Sequence, residues 1–352
     1  MIEKDVLIIG AGPVGIFAAF QAGLIGMNSV IVDSLDEIGG QCISLYPDKP
    51  IYDIPSVPML LASDLINNLE KQASRYDPLY LVSRTLNSLE VIYKNQDIKE
   101  RDVNKQVDYF ISSTSKGDII KSKIVIIAGG AGNFTPNKPP LVNIDKYEDK
   151  AIFYSVKDKG FFNNKTIVIA GGGDSAVDWA ISLAENAKKV FLVHRRKKFR
   201  AAQSSVDKLY EIQGSLKNQQ NKLEVITSYH LDSIDGNIKE GVLSNVILKD
   251  LHGNSKNIKT DILIPFFGLA QELGPIKDFG IDLNKNKIKV DLPYYNTSTE
   301  KIYAIGDICD YSGKLKLILT GFAEASSALY HAYESISSRP MHFSYSTSKI
   351  KK

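Results

Sequence analysis

Residues 5–20 read DVLIIGAGPVGIFAAF, and this stretch decides the fold of the chain. A short apolar run leads into Gly10-x-Gly12-x-x-Gly15, and a helical pattern of apolar residues follows. In a strand–turn–helix of this kind the first glycine permits the tight turn, the second lets the backbone approach a pyrophosphate, and the third allows close packing of the helix on the strand. The helix N-terminus attracts negative charge. The stretch therefore predicts an α/β unit that binds a dinucleotide.

The next predicted strand supplies a residue that a lone glycine motif lacks. It reads SVIVDS and ends at Asp33, 23 residues after Gly10. At that distance a carboxylate accepts hydrogen bonds from ribose hydroxyls. The alternative interpretation is a glycine-rich turn without a ligand, and the carboxylate favours the nucleotide site.

The same architecture recurs in the middle of the chain, at residues 165–180, KTIVIAGGGDSAVDWA. Gly171-x-Gly173-x-x-Ala176 follows a predicted strand and opens a second predicted helix. Counting 23 residues from Gly171 reaches His194, in VFLVHRRKKFR, so that no carboxylate stands at the ribose position. The sequence therefore predicts two dinucleotide-binding units with different selectivity.

Three arginines near the second ribose position indicate which nucleotide it selects. Arg195, Arg196 and Arg200 carry guanidinium forks, which hold phosphate bidentately, whereas an acid there would repel it. The alternative is a solvated basic surface run. We expect FAD at the first glycine turn and NADPH, in preference to NADH, at the second.

Two further segments belong with the first unit. Residues 122–139, SKIVIIAGGAGNFTPNKP, read as a buried strand that runs into a glycine-rich turn. Residues 297–310, TSTEKIYAIGDICD, read as a strand that closes on Gly306-Asp307, and a helix is predicted to open over residues 320–324. We expect Asp307 to accept hydrogen bonds from the FAD ribityl chain, although an aspartate here is alternatively a turn residue. The helix N-terminus would stabilise negative charge on the flavin ring.

Composition excludes several other classes of function. The chain has 352 residues, which predicts two domains, and its formal net charge of +3 is too small to indicate nucleic acid binding. Two cysteines, Cys42 and Cys309, and five histidines without ligand-like spacing predict no metal site. The uncharged stretch 6–27 is interrupted by glycines and a proline, so that we predict no membrane span and a cytoplasmic protein.

At this point the sequence resembles the two-domain pyridine nucleotide–disulfide oxidoreductases, and thioredoxin reductases in arrangement. The motifs that carry the resemblance are GAGPVG, GGGDSAVDWA, HRRKKFRA and IYAIGD. Thioredoxin reductases carry a CxxC in the inserted domain, where this chain has no cysteine, and Cys42 lacks a CxxxxC partner. We interpret both cysteines as small apolar residues near a flavin, in a protein without a redox dithiol.

The chain looks most like the bacterial ferredoxin–NADP reductases of the thioredoxin-reductase-like type. The resemblance covers GGQCISLYPDKPIYDIP, DLINNL, GGGDSAVDWA, HRRKKFRA, GDICDYSGK and GFAEA, and so runs nearly end to end. It implies an α/β fold of two Rossmann-like, three-layer dinucleotide-binding domains. The FAD domain would be discontinuous, residues 1–137 and 281–352, with the NADP domain inserted at 138–280.

The resemblance also implies site residues and a covering tail. Tyr46 and, in RPMHFSYSTSKIKK, Tyr345 would stack on the flavin, with His342 as the rival of Tyr345 and Ser346 as a candidate proton relay. The alternative is a frayed basic terminus. The FAD contacts implied are Gly10, Gly12, Pro13, Gly15, Asp33, Gln41, Tyr46, Leu86, Phe134, Asp307 and Thr347. The NADP contacts are Gly171, Gly173, Asp174, Ser175, Ala176, His194, Arg195, Arg196 and Arg200.

The implied function is ferredoxin–NADP reduction, in which hydride from NADPH is passed on by FAD as single electrons to ferredoxin or flavodoxin. The family also implies a homodimer. The lysines at 188, 189, 314 and 316 are candidates for attracting an acidic partner protein. Two alternatives stay open: a flavin-dependent NADPH reductase of a small disulfide or quinone, and a non-catalytic flavoprotein redox sensor.

Overall fold

In a computed structural model of the chain, residues 1–94, 106–130, 132–214 and 222–337 are described. The chain forms two compact units, one running up to Phe134 and again from Gln271 onward, the other spanning Thr135–Ala270. The chain passes from the first unit to the second after Phe134 and returns to the first unit after Ala270. Both boundaries lie earlier in the sequence than the domain limits predicted at 137/138 and 280/281. The second boundary lies earlier because Leu273 and Ile276 are already buried in the core of the first unit.

The first section of the chain builds most of the first unit. Its strands are β1 (Ile2–Ile9), β2 (Ser29–Val32), β3 (Pro50–Ile51), β4 (Leu60–Leu61), β5 (Leu79–Leu81), β6 (Leu86–Tyr93), β7 (Val107–Thr114) and β8 (Ile119–Ile127), and its helices are α1 (Pro13–Leu24), α2 (Gln41–Ser44) and α3 (Ala62–Ala73).

The middle section builds the second unit. It contains the strands β9 (Asn133–Pro136), β10 (Thr166–Ala170), β11 (Lys189–His194), β12 (Leu223–Thr227), β13 (Tyr229–Asn237), β14 (Val242–Asp250), β15 (Ser255–Lys259), β16 (Ile262–Pro265) and β17 (Leu269–Glu272), and the helices α4 (Asp174–Ala184) and α5 (Gln203–Gly214). Strands β9 and β17 pair with each other and carry the chain between the units.

The last section completes the first unit. Its elements are β18 (Leu283–Asn284), β19 (Lys287–Lys289), β20 (Ile302–Ala304), β21 (Cys309–Asp310) and α6 (Ile318–Ile336). Helix α6 therefore begins at Ile318, slightly earlier than the opening predicted over residues 320–324. Within the described ranges no helix is both long enough and apolar enough to cross a membrane.

The main sheet of the first unit has the order β5-β2-β1-β8-β7-β6. Strands β5, β2, β1 and β8 are parallel, which is the arrangement expected when helices cross between strands. One edge of β8 is shared, because its first half pairs with β7 and its second half pairs in parallel with β20. Two distant sections of the chain thus meet in one sheet.

Strand β1 shows how the sequence distributes this sheet between two cores. Val6 and Ile8 pack with α1 and α6 on one face, and Leu7 and Ile9 pack on the other face. All four are nearly or fully buried. The alternation follows from the two-residue period of a strand, and a continuous apolar run is expected for a strand covered on both faces.

The second unit contains a smaller parallel sheet of order β12-β11-β10-β16. Helix α4 lies between β10 and β11 in the chain, and α5 lies between β11 and β12. The antiparallel strands β13, β14 and β15 form a further sheet that shares a buried cluster with β10 and β11. Both units therefore have the strand–turn–helix start that the glycine motifs predicted.

Candidate functional site

The first glycine turn, between β1 and α1, is fixed by steric constraints. Gly10 has φ +107°, and a Cβ there would lie 2.5 Å from the Ala128 oxygen. A Cβ on Gly15 would lie 1.9 Å from the Gly10 oxygen. A Cβ on Gly12, in contrast, would meet nothing within 4 Å. Gly10 and Gly15 are therefore required by packing, whereas Gly12 leaves open space in front of the helix N-terminus.

Asp33 connects the end of β2 to this turn. Its Oδ2 accepts the Ala11 N–H at 2.5 Å, and its Oδ1 accepts the Leu35 N–H at 2.8 Å. Desolvation raises the pKa of the Asp33 carboxyl, and backbone hydrogen bonds, that from Ala11 first, partly offset the increase. The carboxylate thus lies beside the glycine turn, where the sequence predicted a ribose contact.

A cavity opens along this edge of the sheet in the first unit. Its lining contains eight of the predicted FAD contacts, and they come from separate parts of the chain: Gly10, Gly12, Pro13, Asp33, Gln41, Tyr46, Leu86 and Asp307. Gly15 lies in the helix–strand contact instead, and Phe134 belongs to β9. The tail residues Tyr345, Ser346 and Thr347, with His342, lie outside the described residues.

The cavity has further walls, and those that the sequence did not predict are Arg84, Thr85, Leu273 and Ile276. Arg84 and Thr85 line it just before β6, and residues 316–318 line it at the start of α6. Leu273 and Ile276 add apolar surface. Arg84 donates to Asp118 at 2.7 Å, so its orientation is fixed by an ion pair. The start of α6 is the helix opening that the sequence predicted beside the flavin, and it lies at Ile318, slightly earlier than expected.

The turn that carries Asp307 is supported from inside the protein. Gly306 has φ +75°, and its N–H donates to the Glu324 Oε2 at 2.6 Å. Glu324 is fully buried, forms an ion pair with Lys314 and accepts the Tyr311 hydroxyl proton at 2.6 Å. The Lys314 side chain is only 7% exposed. The expectation that Lys314 faces a partner protein is therefore wrong, because its charge is used in this buried pair.

These residues fit FAD. The open space at Gly12 admits a pyrophosphate to the N-terminus of α1, whose backbone N–H groups attract negative charge. The Asp33 carboxylate stands at the nearby strand end, within reach of a ribose bound along the turn. Tyr46 and apolar residues such as Leu273 and Ile276 also line the cavity, as a flavin ring requires.

The second glycine turn, between β10 and α4, repeats the steric pattern. A Cβ on Gly171 would lie 2.8 Å from both the Ala176 Cβ and the Phe266 oxygen, and a Cβ on Gly173 would meet nothing within 4 Å. Gly173 has an extended conformation, with φ −98° and ψ −178°. The open position again faces the start of a helix, so this turn too has room for a pyrophosphate.

Some of the predicted NADP contacts are exposed to solvent, and others contact the rest of the protein. Arg195, Arg196 and Arg200 are exposed. His194 is only 7% exposed and stacks on Phe199, with ring centroids 5.1 Å apart. The Asp174 Oδ1 accepts the Ala202 N–H at 2.8 Å. The arginines are therefore presented to solvent, whereas the His194 ring and the Asp174 carboxylate contact the protein itself.

A model of the pyridine nucleotide-disulphide oxidoreductases matches residues 4–332. The chain belongs to this family. A ferredoxin–NADP reductase of Rickettsia massiliae (strain Mtu5) is 52% identical over 350 residues, which are 99% of this chain and 98% of that protein. The resemblance stated from the sequence is thereby confirmed.

Solved structures support the predicted fold of this pyridine nucleotide-disulphide oxidoreductase. The thioredoxin reductase of T. acidophilum is 25% identical, with a TM-score of 0.77, and the match covers 96% of this chain and 100% of that chain. The thioredoxin reductase of Lactococcus lactis is 23% identical, with a TM-score of 0.75, and the match covers 94% and 98%. The predicted thioredoxin-reductase-like α/β fold is confirmed.

The two cysteines of this pyridine nucleotide-disulphide oxidoreductase are buried free thiols. Desolvation raises the pKa of Cys42 to about 11 and that of Cys309 to about 12. The Cys309 thiol donates to the Gly306 oxygen, with 3.2 Å between sulfur and oxygen. Thiol–disulfide exchange requires a thiolate, and redox cysteines have lowered pKa values. Both thiols are therefore held in the unreactive form.

Proposed function

We propose that this chain is a ferredoxin–NADP reductase, with FAD in the first unit and NADP(H) in the second. The observation that carries the proposal is the contrast between the two glycine turns. Asp33 stands beside the first, and three exposed guanidinium groups follow the second. The relatives at about 52% identity over nearly the whole chain have this name.

The residues of the first unit bind and orient FAD. The backbone at Gly12 and the N-terminus of α1 hold the pyrophosphate, and Asp33 accepts hydrogen bonds from the ribose. Asp307 accepts hydrogen bonds from the ribityl chain, and Tyr46 stacks on the flavin ring. Leu273 and the apolar residues that begin α6 exclude water from the ring. Bound FAD supplies the conversion between a two-electron hydride and single electrons.

The residues of the second unit bind NADP(H). The open position at Gly173 and the N-terminus of α4 take the pyrophosphate. Arg195, Arg196 and Arg200 are available for the 2′-phosphate, since among the described residues none of their guanidinium groups has a hydrogen-bond or ion-pair partner. NADPH is therefore preferred over NADH.

The remaining parts of the proposal come from the resemblance. Flavodoxin is an alternative electron acceptor, two copies of the chain form a homodimer, and the protein works in the cytoplasm. The resemblance also implies that Tyr345 and Thr347 contact the flavin and that Ser346 relays a proton, and all three lie outside the described residues. No side chain of the described residues needs to act as a covalent nucleophile, which agrees with two thiols that are protonated at neutral pH.

The experiment is NADPH-driven cytochrome c reduction by the purified flavoprotein, with and without added ferredoxin or flavodoxin. NADH replaces NADPH in a parallel series, and a thioredoxin-linked disulfide assay uses the same preparation. We expect strong dependence on ferredoxin or flavodoxin, a preference for NADPH, and no disulfide turnover. Disulfide turnover would favour a disulfide reductase instead. A flavin that NADPH does not bleach would favour the redox sensor.

A further inference from the structure

We propose that Asp174 is a positioning residue for nucleotide selection, which acts by holding the arginine segment, residues 195–202, against the second glycine turn. The inference rests on the proposed NADP site and deepens it. Asp174 would select the 2′-phosphate through Arg200 without touching the phosphate itself. The sequence motif assigns this aspartate to the nucleotide, but the structure directs its carboxylate to the protein backbone.

Two hydrogen bonds attach the arginine segment to the turn and the start of α4, and a third attaches it to the end of β11. The Ala202 N–H donates to the Asp174 Oδ1 at 2.8 Å, and the Arg200 N–H donates to the Gly172 oxygen at 2.7 Å. The His194 Nε2 lies 3.2 Å from the Lys198 oxygen. These contacts fix the backbone on both sides of Arg200. The segment is therefore a loop with a fixed backbone and exposed arginine side chains.

Packing beneath the segment reinforces these hydrogen bonds. The His194 ring stacks on Phe199 at an interplanar angle of 21°. A Cβ on Gly172 would lie 2.1 Å from the His194 Cε1, so the ring occupies the space that this glycine leaves free. Burial and the neighbouring arginines lower the pKa of His194, which favours the neutral ring. Because the Lys198 oxygen can only accept, the His194 Nε2 is the donor in this bond. Gly172, the middle glycine of the turn, thus leaves the space in which the His194 ring packs against the arginine segment.

The charge of Asp174 gives an independent reason for this role. Asp174 is the first residue of α4, where a bound pyrophosphate would gain from the positive end of the helix dipole. A free carboxylate there would repel that anion. Directed at the Ala202 N–H, the carboxylate instead stabilises a loop that carries cationic side chains. The Ser205 hydroxyl continues the contact between α4 and α5, since it donates to the Asp178 Oδ1 at 3.1 Å.

The test is the binding of adenosine 2′,5′-bisphosphate and of 5′-AMP to the FAD-loaded protein, measured by calorimetry. Asp174→Ala removes the hydrogen-bond acceptor, and we expect roughly five- to tenfold weaker binding of the bisphosphate with less than about twofold change for 5′-AMP. Asp174→Asn keeps an acceptor oxygen and should restore most of the selectivity. Equal losses for both ligands, or an Asn variant as unselective as the Ala variant, would overturn the positioning role.

Asp261→Ala is the matched control. The Asp261 Oδ2 also accepts a backbone N–H, from Thr166 at 2.7 Å, but at the opposite end of the same sheet. We expect its ligand selectivity to match that of the wild type. If Asp174→Ala does not fold, Asp174→Glu carries the test, because it keeps the charge, is tolerated at a helix start and displaces the acceptor. A Glu variant with wild-type selectivity would then contradict the proposal.

The wild-type measurement separates this inference from the proposed function. A wild type that binds the bisphosphate no more tightly than 5′-AMP would refute the NADP site itself. A selective wild type whose selectivity survives Asp174→Ala would refute only the role of Asp174. Thermal unfolding of each variant shows whether a loss of binding merely follows a loss of folded protein.

Discussion

The Gly306 N–H lies 2.6 Å from the Glu324 Oε2, in the fully buried interior of the first unit. The same carboxylate is paired with Lys314 and accepts the Tyr311 hydroxyl proton. Since Asp307 follows Gly306 and lines the cavity, the hydrogen bond from Gly306 to the paired Glu324 carboxylate holds the backbone that presents Asp307. The buried Gly306–Glu324 contact therefore determines where Asp307 stands in the cavity, although Glu324 itself does not line the cavity.

Glu324→Gln should destabilise the protein and weaken its hold on FAD. The substitution leaves the Lys314 charge buried and unpaired, and losing one partner of a buried pair costs about 3–5 kcal/mol of unfolding free energy. Urea unfolding measures the stability, and the absorbance ratio of flavin to protein measures FAD retention. A loss below about 1 kcal/mol with full FAD content would contradict the role assigned to the pair.

Glu3→Gln is the control for this prediction. Glu3 pairs with Lys121 at 3.2 Å, but its side chain is 62% exposed. Exposed pairs contribute about 0–1 kcal/mol, because solvent screens them. We expect little change in stability and none in FAD content.

Gly12→Ala should separate FAD binding from folding. Gly12 has φ −70°, which alanine adopts, and a Cβ there contacts nothing within 4 Å. The stability of the apoprotein should change by less than about 1 kcal/mol, whereas the methyl group would obstruct the pyrophosphate and weaken FAD binding roughly tenfold or more. A fluorescence titration of the apoprotein with FAD gives the dissociation constant.

Gly173→Ala is the reciprocal control, because it adds the same methyl group at the second turn. It should weaken NADPH binding and leave FAD binding unchanged. Gly10→Ala should instead reduce stability, since φ +107° and the Ala128 oxygen at 2.5 Å exclude a side chain. If Gly12→Ala bound FAD as tightly as the wild type, the pyrophosphate would have to lie elsewhere.

Asp33→Asn should loosen the first glycine turn. The carboxylate uses separate oxygens for the Ala11 and Leu35 N–H groups, and an amide has only one oxygen. One N–H then loses its partner, at a cost of about 1–3 kcal/mol measured by urea unfolding, and FAD binding weakens.

Asp250→Asn provides the comparison for this variant. One oxygen of Asp250, Oδ1, accepts both the His252 and the Asn254 backbone N–H groups, so an asparagine oxygen can retain both backbone bonds. The Asn254 side-chain bond to Oδ2 is lost, but it is exposed and water replaces it at little cost. We expect nearly wild-type stability. Equal effects at the two positions would show that the lost charge matters, and not the lost acceptor.

The buried thiols predict falling stability at alkaline pH. Cys309 keeps its proton up to a pKa of about 12 in the folded state, whereas an ordinary thiol has a pKa of 9.0. Between these values the unfolded state binds fewer protons, so the unfolding free energy decreases as the pH rises. In Cys309→Ala the unfolding free energy should fall less steeply with pH than in the wild type, by up to about 1.4 kcal/mol per pH unit.

Denaturant unfolding at intervals between pH 9 and 12 measures these slopes. Cys309 does not line the cavity, which limits any effect of the substitution on FAD. Reaction with iodoacetamide gives a second readout, because it requires the thiolate. Rapid alkylation of the folded protein at pH 8 would show that a thiol is not held protonated.

The sequence predicted the parts of the site that depend on short-range motifs. Gly10 and Gly15 have steric requirements that only glycine meets, and Asp33 follows at a spacing set by one helix and one strand. The fold class followed from the same signals, since each strand–turn–helix repeats a known pattern. Assignments of this kind need no knowledge of distant contacts.

The contacts that were missed depend on tertiary structure. Glu324 lies within a helix, where an acid is normally exposed, and only the packing around Gly306 buries it with Lys314. His194 stands at the spacing of a ribose ligand, but no spacing rule shows that Gly172 leaves room for its ring. Long-range packing decides such residues.

Strand β20 has a consequence for synthesis on the ribosome. When translation has passed residue 270, every residue of the second unit has been made, yet the first unit still lacks β20, the Asp307 turn and α6. Until Ile302–Ala304 arrives, half of one edge of β8 has no strand to pair with, and unpaired edges in incomplete sheets promote aggregation. The first unit, although its synthesis begins first, therefore cannot complete its fold until the last section of the chain has been made. The inserted second unit can fold before it.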